Sequence, residues 1–200
     1  MARGDSLPVM VLVFAYGSLL QPGSLASTVP DVDLDACRPA RLHGWLRCFD
    51  VAFPNDGSQP DKAFLDPDGH RPPWVLLANL RRGGVGSAVS GLLVEVSVAS
   101  LERLRRRERR YRLCPVPGAL EPYDDSGAIA GEVLTARGRA EFQAEEAVAA
   151  GVVARSYVEG ILAGAEHWSQ RAPGFAADVR ASTVFPTSGQ IADLKRVDRG

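Results

Sequence analysis

The sequence predicts an α+β fold, in which a mixed-strand sheet forms a small barrel or a curled sheet with flanking helices. In the first half of the chain, short apolar or alternating segments are separated by glycine and proline turns, as in a set of strands. Near Val98 the hydrophobic period changes to between three and four residues, which is the period of a helix. With 46% hydrophobic and 24% charged residues among 200, the composition is that of an ordinary globular domain.

Each predicted element follows from one of these patterns. Helices are expected from about residue 98 and over 152–168, where Val153, Tyr157, Ile161, Gly164 and Trp168 form one stripe. Residues 54–73 contain five prolines, so we expect an irregular surface loop that frames a pocket. Strands are predicted over residues 11–15, 41–53, 74–80, 88–96, 111–116 and 129–136.

The whole chain, 1–200, is interpreted as a single domain with its core at about 9–169. The pattern of residues 170–200 predicts no clear element. No apolar stretch approaches the roughly 20 residues that span a bilayer, and the N-terminus lacks a signal-peptide cleavage pattern, so we expect no membrane partner. The three cysteines have no paired spacing, which favours reduced thiols and a cytoplasmic location. The oligomeric state cannot be read from these patterns.

The first strand ends in a distinctive turn. The apolar run of residues 11–15 stops at Tyr16-Gly17-Ser18-Leu19, which predicts a buried strand that delivers its last residues to a surface. A glycine turn of this kind can direct backbone N–H groups toward an anion. The alternative is purely structural: Gly17 ends the strand and Ser18 caps a turn.

A carboxylate falls within an apolar helical stripe. The spacing of Leu101, Leu104, Glu108 and Tyr111 puts all four on one helix face. An unpaired carboxylate facing a core is costly, whereas in a partly desolvated cleft its pKa would rise and suit it to proton transfer. The alternative is a surface ion pair of Glu108, because Arg105 lies three positions before it and Arg112 lies four positions after it.

Taken in order, several segments resemble the γ-glutamylcyclotransferase superfamily. The resemblance spans residues 11–165 and lies in the ordered set rather than in any one segment. The arginine-rich helix, the proline-rich loop and the C-terminal segment depart from it, and the choice between the glutathione-specific and γ-glutamylamine branches stays open. The matching segments are Tyr16-Gly17-Ser18-Leu19, residues 41–49 with Gly44, Arg47 and Phe49, residues 89–96, an L-x-x-R-E-x-x-Y run at 104–111, and residues 157–164.

The resemblance implies a reaction within the substrate: the α-amine of a γ-glutamyl group attacks its own side-chain carbonyl, which gives 5-oxoproline and a free amine or amino acid. It also implies that the enzyme needs no cofactor. Glu108 would be the catalytic acid and base. The substrate-binding residues would be the backbone N–H groups of Gly17, Ser18 and Leu19, the side chains of Tyr16 and Tyr111, and Arg47 as a partner of the α-carboxylate.

Other classes of function are less well supported. His43, His70 and His167 are scattered without ligand spacing, so we expect no metal site. A net charge of −1 disfavours a general nucleic-acid-binding surface. However, seven arginines lie between Arg103 and Arg112, so a polyanion-binding or nucleic-acid-binding module that uses residues 103–112 remains an alternative. A third possibility is a catalytically silent scaffold of the same fold.

Overall fold

A mixed six-stranded sheet lies at the centre of the computed structural model, which describes residues 10–124, 127 and 129–198. Only the β1–β9 pair is parallel, and the other neighbours in this sheet are antiparallel. The strands, in spatial order, are β7 (Tyr111–Pro115), β9 (Val133–Gly138), β1 (Met10–Ala15), β6 (Ala88–Ser97), β2 (Arg38–His43) and β8 (Leu120–Pro122).

The remaining strands form three two-stranded sheets. The predicted α+β class with a mixed-strand sheet is confirmed, and among the strands of the described residues no sheet closes into a barrel. The pairs are β3 (Trp45–Pro54) with β5 (Trp74–Arg82), β4 (Lys62–Leu65) with β12 (Lys195–Asp198), and β10 (Val153–Ala154) with β11 (Ile191–Ala192).

Helices cover this framework and complete the core. Trp168, Phe175 and Val179 are fully buried against the sheet, and the Trp168 indole N–H donates to the Leu20 carbonyl at 2.8 Å. Over the described part of the chain, no helix has the length and apolarity that a membrane crossing requires. The helices are α1 (Pro22–Thr28), α2 (Val98–Arg107), α3 (Glu145–Ala150), α4 (Arg155–Ser169) and α5 (Phe175–Ala181), with 3₁₀ turns at Ser18–Leu20, Ala140–Phe142 and Ser188–Gln190.

The single strand predicted over 41–53 is wrong, because the chain turns at Gly44. This glycine has a φ of +81°, a left-handed conformation that other residues rarely adopt. The turn ends β2 in the central sheet and lets β3 leave it to pair with β5. The alternation of large residues continues across the turn, so the sequence pattern did not reveal the break.

The predicted helix through Glu108 and Tyr111 is also wrong at its end. Helix α2 stops at Arg107, and Glu108 is its C-terminal capping residue, with its N–H bonded to the Leu104 carbonyl. A turn then follows, in which the Tyr111 N–H donates to the Glu108 carbonyl at 2.8 Å. This turn redirects the chain so that β7 can pair with β9, which the helical spacing could not indicate.

Two segments for which no strand or helix was predicted pair with each other in the fold. The loop over 54–73 is not wholly irregular, because it contains β4, and Asn55 ties its ends together through the backbone of Phe64 and Pro72. Strand β12 of the C-terminal segment pairs with β4. The loop lines a cavity through Asp61, Lys62 and Phe64, as the sequence predicted.

Close packing of α4 against the first 3₁₀ turn depends on Gly164. A Cβ at this position would lie 2.5 Å from the backbone carbonyl of Leu20, whereas one at Gly160 would meet only the flexible end of the Gln21 side chain. We therefore expect Gly164→Ala to lower the free energy of unfolding by about 1–3 kcal/mol. Gly160→Ala should change it by less than about 1 kcal/mol. Chemical denaturation of both variants tests this, and equal stabilities would contradict the packing argument.

Candidate active site

Sheet topology brings the exit of β1 next to the start of β7. Strand β9 runs parallel to β1, so both end at the same edge of the sheet. Strand β7 runs antiparallel to β9, and its first residue, Tyr111, is paired with Gly138 at the end of β9. Residues that follow Ala15 and residues that precede Tyr111 therefore meet at one edge, although they are far apart in sequence.

The turn after β1 begins with two backbone N–H groups that its own hydrogen bonds do not use. Gly17 caps the 3₁₀ turn Ser18–Leu20, and its carbonyl accepts the Leu20 N–H at 3.0 Å. The N–H groups of Ser18 and Leu19 begin this turn, so they have no acceptor within it. Tyr16 and Leu19 are buried and anchor the turn to the core.

The Glu108 carboxyl group lies at this edge and is mostly shielded from water, since its side chain is 19% exposed. Burial raises the pKa of Glu108, and the charges of Arg107, Lys62 and Arg110 oppose that rise. The neighbour in ion-pair range is Arg107, whose Nε lies 3.5 Å from Oε1. The predicted alternative pairing with Arg105 and Arg112 is not what the structure shows, because Arg105 pairs with Glu102 and Arg112 is exposed.

Arg107 connects Glu108 to the turn, a role that the sequence reasoning missed. Its guanidinium donates to the Ser18 hydroxyl at 3.0 Å and to the Ser24 hydroxyl at 3.0 Å, and it also bonds the Thr28 hydroxyl. The same group is paired with Glu108. The available signal was its position immediately before the glutamate in the 104–111 motif. Among so many arginines, that position did not stand out.

The seven arginines between Arg103 and Arg112 do not form one uniform basic face. Arg105 is paired with Glu102 on the surface, and Arg107 is turned toward the exit of β1. Arg110 is 2% exposed and forms a bidentate pair with Asp61, which it holds at a pKa of about 2. The other exposed members are Arg103, Arg106, Arg109 and Arg112.

Three tyrosine side chains, Tyr16, Tyr111 and Tyr157, line one cavity together with Glu108. Tyr16 donates to the Ala136 carbonyl at 2.5 Å, and Tyr111 donates to the Ala78 carbonyl at 2.7 Å. Both side chains line the smaller cavity, but their hydroxyl hydrogens are already used by the backbone. Neither is free to donate to a ligand without breaking one of these bonds.

Tyr157 is the tyrosine with a free donor. Its hydroxyl oxygen accepts the Ala78 N–H at 3.3 Å, and among the described residues no acceptor takes its own hydrogen. Burial raises the pKa of Tyr157 to about 12, so the hydroxyl keeps its hydrogen at neutral pH. Sequence reasoning missed this role, because Tyr157 lies in the apolar stripe of α4.

A β-bulge accompanies these contacts. The register between β3 and β5 shifts between Phe49 and Val51, next to Ala78. The Ala78 N–H and carbonyl bond to Tyr157 and Tyr111, respectively. Bulges of this kind are common beside active sites, because they re-aim neighbouring groups.

Arg47 does not lie where a substrate carboxylate could reach it, which corrects its predicted role. The side chain is fully buried, and its guanidinium donates to the carbonyls of Tyr16 (2.6 Å) and Ser90 (2.6 Å). It also donates to the Val179 carbonyl at 3.2 Å and to the Thr183 hydroxyl at 2.6 Å. Because these groups satisfy it from within the fold, Arg47 acts as a structural support for the turn after β1.

Two adjoining cavities share the Glu108 carboxyl group. The smaller, about 40 Å³, is lined by residues 13–19 together with Glu108, Tyr111 and Tyr157. The larger, about 670 Å³, contains the same three side chains and Ser18 in its wall. Its volume is typical of pockets that bind small molecules, which run from about 300 to 1,000 Å³.

One group of possible metal ligands occurs among the described residues, and it lies outside this site. Asp66, Asp68 and His70 bring ligand atoms within 4.8 Å of one another on the 54–73 loop. Asp66 already accepts the backbone N–H groups of Asp68 and His70, so the cluster is explained by a local turn.

The chain has the fold of solved γ-glutamyl cyclotransferases, as the sequence resemblance implied. A solved γ-glutamyl cyclotransferase matches with a TM-score of 0.54 and 15% identity over 92% of this chain and 94% of that one. A glutathione-specific γ-glutamyl cyclotransferase from yeast matches with a TM-score of 0.52 and 14% identity over 89% of this chain and 99% of that one.

The same fold occurs in YkqA from Bacillus subtilis, with a TM-score of 0.52 and 18% identity. This match covers 86% of the present chain and 53% of the longer YkqA chain. No protein-family model and no curated protein matches the sequence. At these identities the likeness shows the fold, and the chemistry must be argued from the site.

Proposed function

We propose that this protein is a cyclotransferase that cleaves a γ-glutamyl amide and releases 5-oxoproline with a free amine or amino acid. The observation that carries this proposal is the Arg107 bridge, which joins Ser18 of the turn after β1 to Glu108. The bridge holds an acid–base group beside free backbone N–H donors at the wall of a ligand-sized cavity. If Glu108 were only the partner of a solvated surface ion pair, neither the cavity nor the shielding of its carboxyl group from water would be required.

In the proposed reaction, Glu108 first takes a proton from the substrate α-ammonium group. The free amine then attacks the γ-carbonyl carbon, a C–N bond forms, and the carbonyl oxygen becomes an oxyanion. When the tetrahedral intermediate collapses, the bond to the leaving nitrogen breaks, and protonated Glu108 returns its proton to that nitrogen. The ring nitrogen loses its second hydrogen as a proton to the released amine, which leaves as an ammonium ion. The raised pKa of Glu108 suits both steps, since one group must accept the proton and then release it.

The enzyme's main task would be to fold the substrate. Nucleophile and electrophile belong to one molecule, and orienting them can contribute about 7–11 kcal/mol. In this proposal the N–H groups of Ser18 and Leu19 hold the substrate carboxylate or the oxyanion, and the free Tyr157 hydroxyl donates a further hydrogen bond. None of these steps requires a cofactor.

A panel of γ-glutamyl compounds tests the proposal. Wild-type protein would be incubated with γ-glutamyl amines, γ-glutamyl amino acids and glutathione, and mass spectrometry would follow 5-oxoproline and the released amine. Stoichiometric release of both products from at least one compound is the expected result. If none of the compounds yields 5-oxoproline while the protein is folded, the proposed reaction is wrong.

Substitution of Gly17 tests the role of the turn. A Cβ here would lie 3.4 Å from the Tyr157 hydroxyl and 3.6 Å from the Ala78 Cβ, so alanine fits, but the branched side chain of valine displaces Tyr157. We expect Gly17→Val to lower kcat/KM by up to about 10²-fold, because small misplacements of positioning groups are that costly. Gly17→Ala is the matched control and should retain most activity. Wild-type kinetics in a folded Gly17→Val variant would argue against the assignment.

A further inference from the structure

The larger cavity extends beyond Glu108 into a strongly basic compartment. Seven basic and two acidic side chains line it. Arg110 is neutralised by Asp61, Arg107 is paired with Glu108, and Arg196 is paired with Asp198. The cations that remain in the wall are Lys62, Arg103, Arg106 and Arg109.

Lys62 is the innermost of these cations. It is half-buried on β4, with its ammonium 5.3 Å from the centre of the Phe53 ring and 5.7 Å from that of Phe64. No carboxylate of the described residues lies within 4.0 Å of it, and burial lowers its pKa to about 8. An ammonium that is desolvated without a paired anion is costly to the fold, so a bound anion would relieve that cost.

The arginines form the outer rim of the same compartment. Arg106 and Arg109 are exposed and, among the described residues, form no ion pair within 4.0 Å, while Arg109 donates instead to the Arg106 carbonyl at 3.1 Å. Arg103 is also exposed. Lys62 and this rim together supply more positive charge than a single carboxylate would neutralise.

We propose that the leaving half of the substrate is an acidic amino acid, and that Lys62 determines this specificity by binding its side-chain carboxylate. The inference rests on the proposed function. If the γ-glutamyl half is held at the turn after β1 and the scissile nitrogen lies at Glu108, the rest of the leaving half extends into the basic compartment. The arginine rim then meets the α-carboxylate of the leaving half.

The inference is tested with a matched pair of substrates. These are γ-glutamyl-glutamate and γ-glutamyl-glutamine, which are nearly equal in shape and differ by one negative charge. Wild-type protein should prefer γ-glutamyl-glutamate by about tenfold or more in kcat/KM, and Lys62→Met should remove most of that preference. The ratio of the kcat/KM values for the two substrates is informative, because any effect of Lys62 on the Glu108 pKa acts on both substrates and cancels in that ratio. Methionine can also keep the contact with the two phenylalanine rings.

Two controls isolate the charge. Lys195→Met removes an exposed lysine of β12 that does not line the cavity, so the preference should be unchanged. Lys62→Arg keeps the charge and should retain a preference well above that of Lys62→Met. Equal kcat/KM values for the two substrates, or a Lys62→Met variant that keeps the full preference, would overturn the inference while turnover still supported the cyclotransferase.

Calorimetric titration with free glutamate separates the two proposals without turnover. Binding to wild-type protein and to Lys195→Met, with at least about tenfold weaker binding to Lys62→Met, would support the basic compartment as a dicarboxylate site even if no compound yielded 5-oxoproline. Glutamate binding that does not depend on Lys62, or no binding at all, would overturn the inference.

Discussion

Glu108→Gln is expected to lower kcat by about 10²–10⁴-fold, the usual contribution of a positioned acid–base group. Glutamine has nearly the same shape as glutamate but can neither accept the ammonium proton nor return it to the leaving nitrogen. The fold should survive the change, because the variant loses the ion pair with Arg107 but also loses the cost of burying a carboxylate. Release of 5-oxoproline and thermal unfolding, measured on the same preparation, separate these effects.

Glu102→Gln is the matched control for this experiment. Glu102 is an exposed carboxylate of α2 that is paired with Arg105 and does not line the cavities. Its replacement should leave turnover at the wild-type rate. A Glu108→Gln variant that also turns over at the wild-type rate would show that another group transfers the proton.

The same carboxyl group should set the acid side of the pH profile. Because burial raises the pKa of Glu108, kcat/KM should fall with decreasing pH at a higher pH than an ordinary glutamate would produce. Titration of Glu108 should affect stability in the opposite sense to activity. Folding favours the protonated form of Glu108, so this carboxyl group stabilises the fold fully below the ordinary glutamate pKa. That stabilisation is lost as the pH rises through the raised pKa. Glu108→Gln should remove both dependences.

Arg47→Met should cause a large loss of stability, about 3–5 kcal/mol. The fully buried guanidinium donates to the carbonyls of Tyr16, Ser90 and Val179, which methionine would leave without that donor. Each buried acceptor that loses its donor costs roughly 1–3 kcal/mol, although relaxation recovers part of it. Urea denaturation followed by circular dichroism would measure the change.

Arg81→Met serves as the control for this prediction, since Arg81 is an exposed residue of the neighbouring strand β5. Its effect should stay within about 0.5 kcal/mol. The comparison also separates the structural role of Arg47 from a binding role. If Arg47→Met were as stable as wild type and only raised KM, the internal hydrogen bonds would not have the importance assigned to them, and direct substrate contact would be restored as the explanation.

Local sequence patterns predicted the parts of the site that depend on neighbours along the chain. The apolar run before Tyr16 indicated both β1 and the turn after it, and a carboxylate at an apolar position singled out Glu108. The interpretation of Glu108 as partly desolvated agrees with its raised pKa, although the helix that suggested it ends one residue earlier. The strand break at Gly44 was missed, because the alternation of large residues continues through the turn.

By itself, the sequence determined the α+β class, the strand-to-turn transition at residues 15–19 and the exceptional position of Glu108, because each depends on hydrophobic periodicity over a few residues. Only the tertiary structure decided which arginine meets Glu108, that Arg47 is an internal support, and that Tyr157 retains the free hydroxyl. These outcomes depend on pairing between β1, β9 and β7 and on packing of α4. A side chain's partner is set by such distant contacts, which no local spacing encodes.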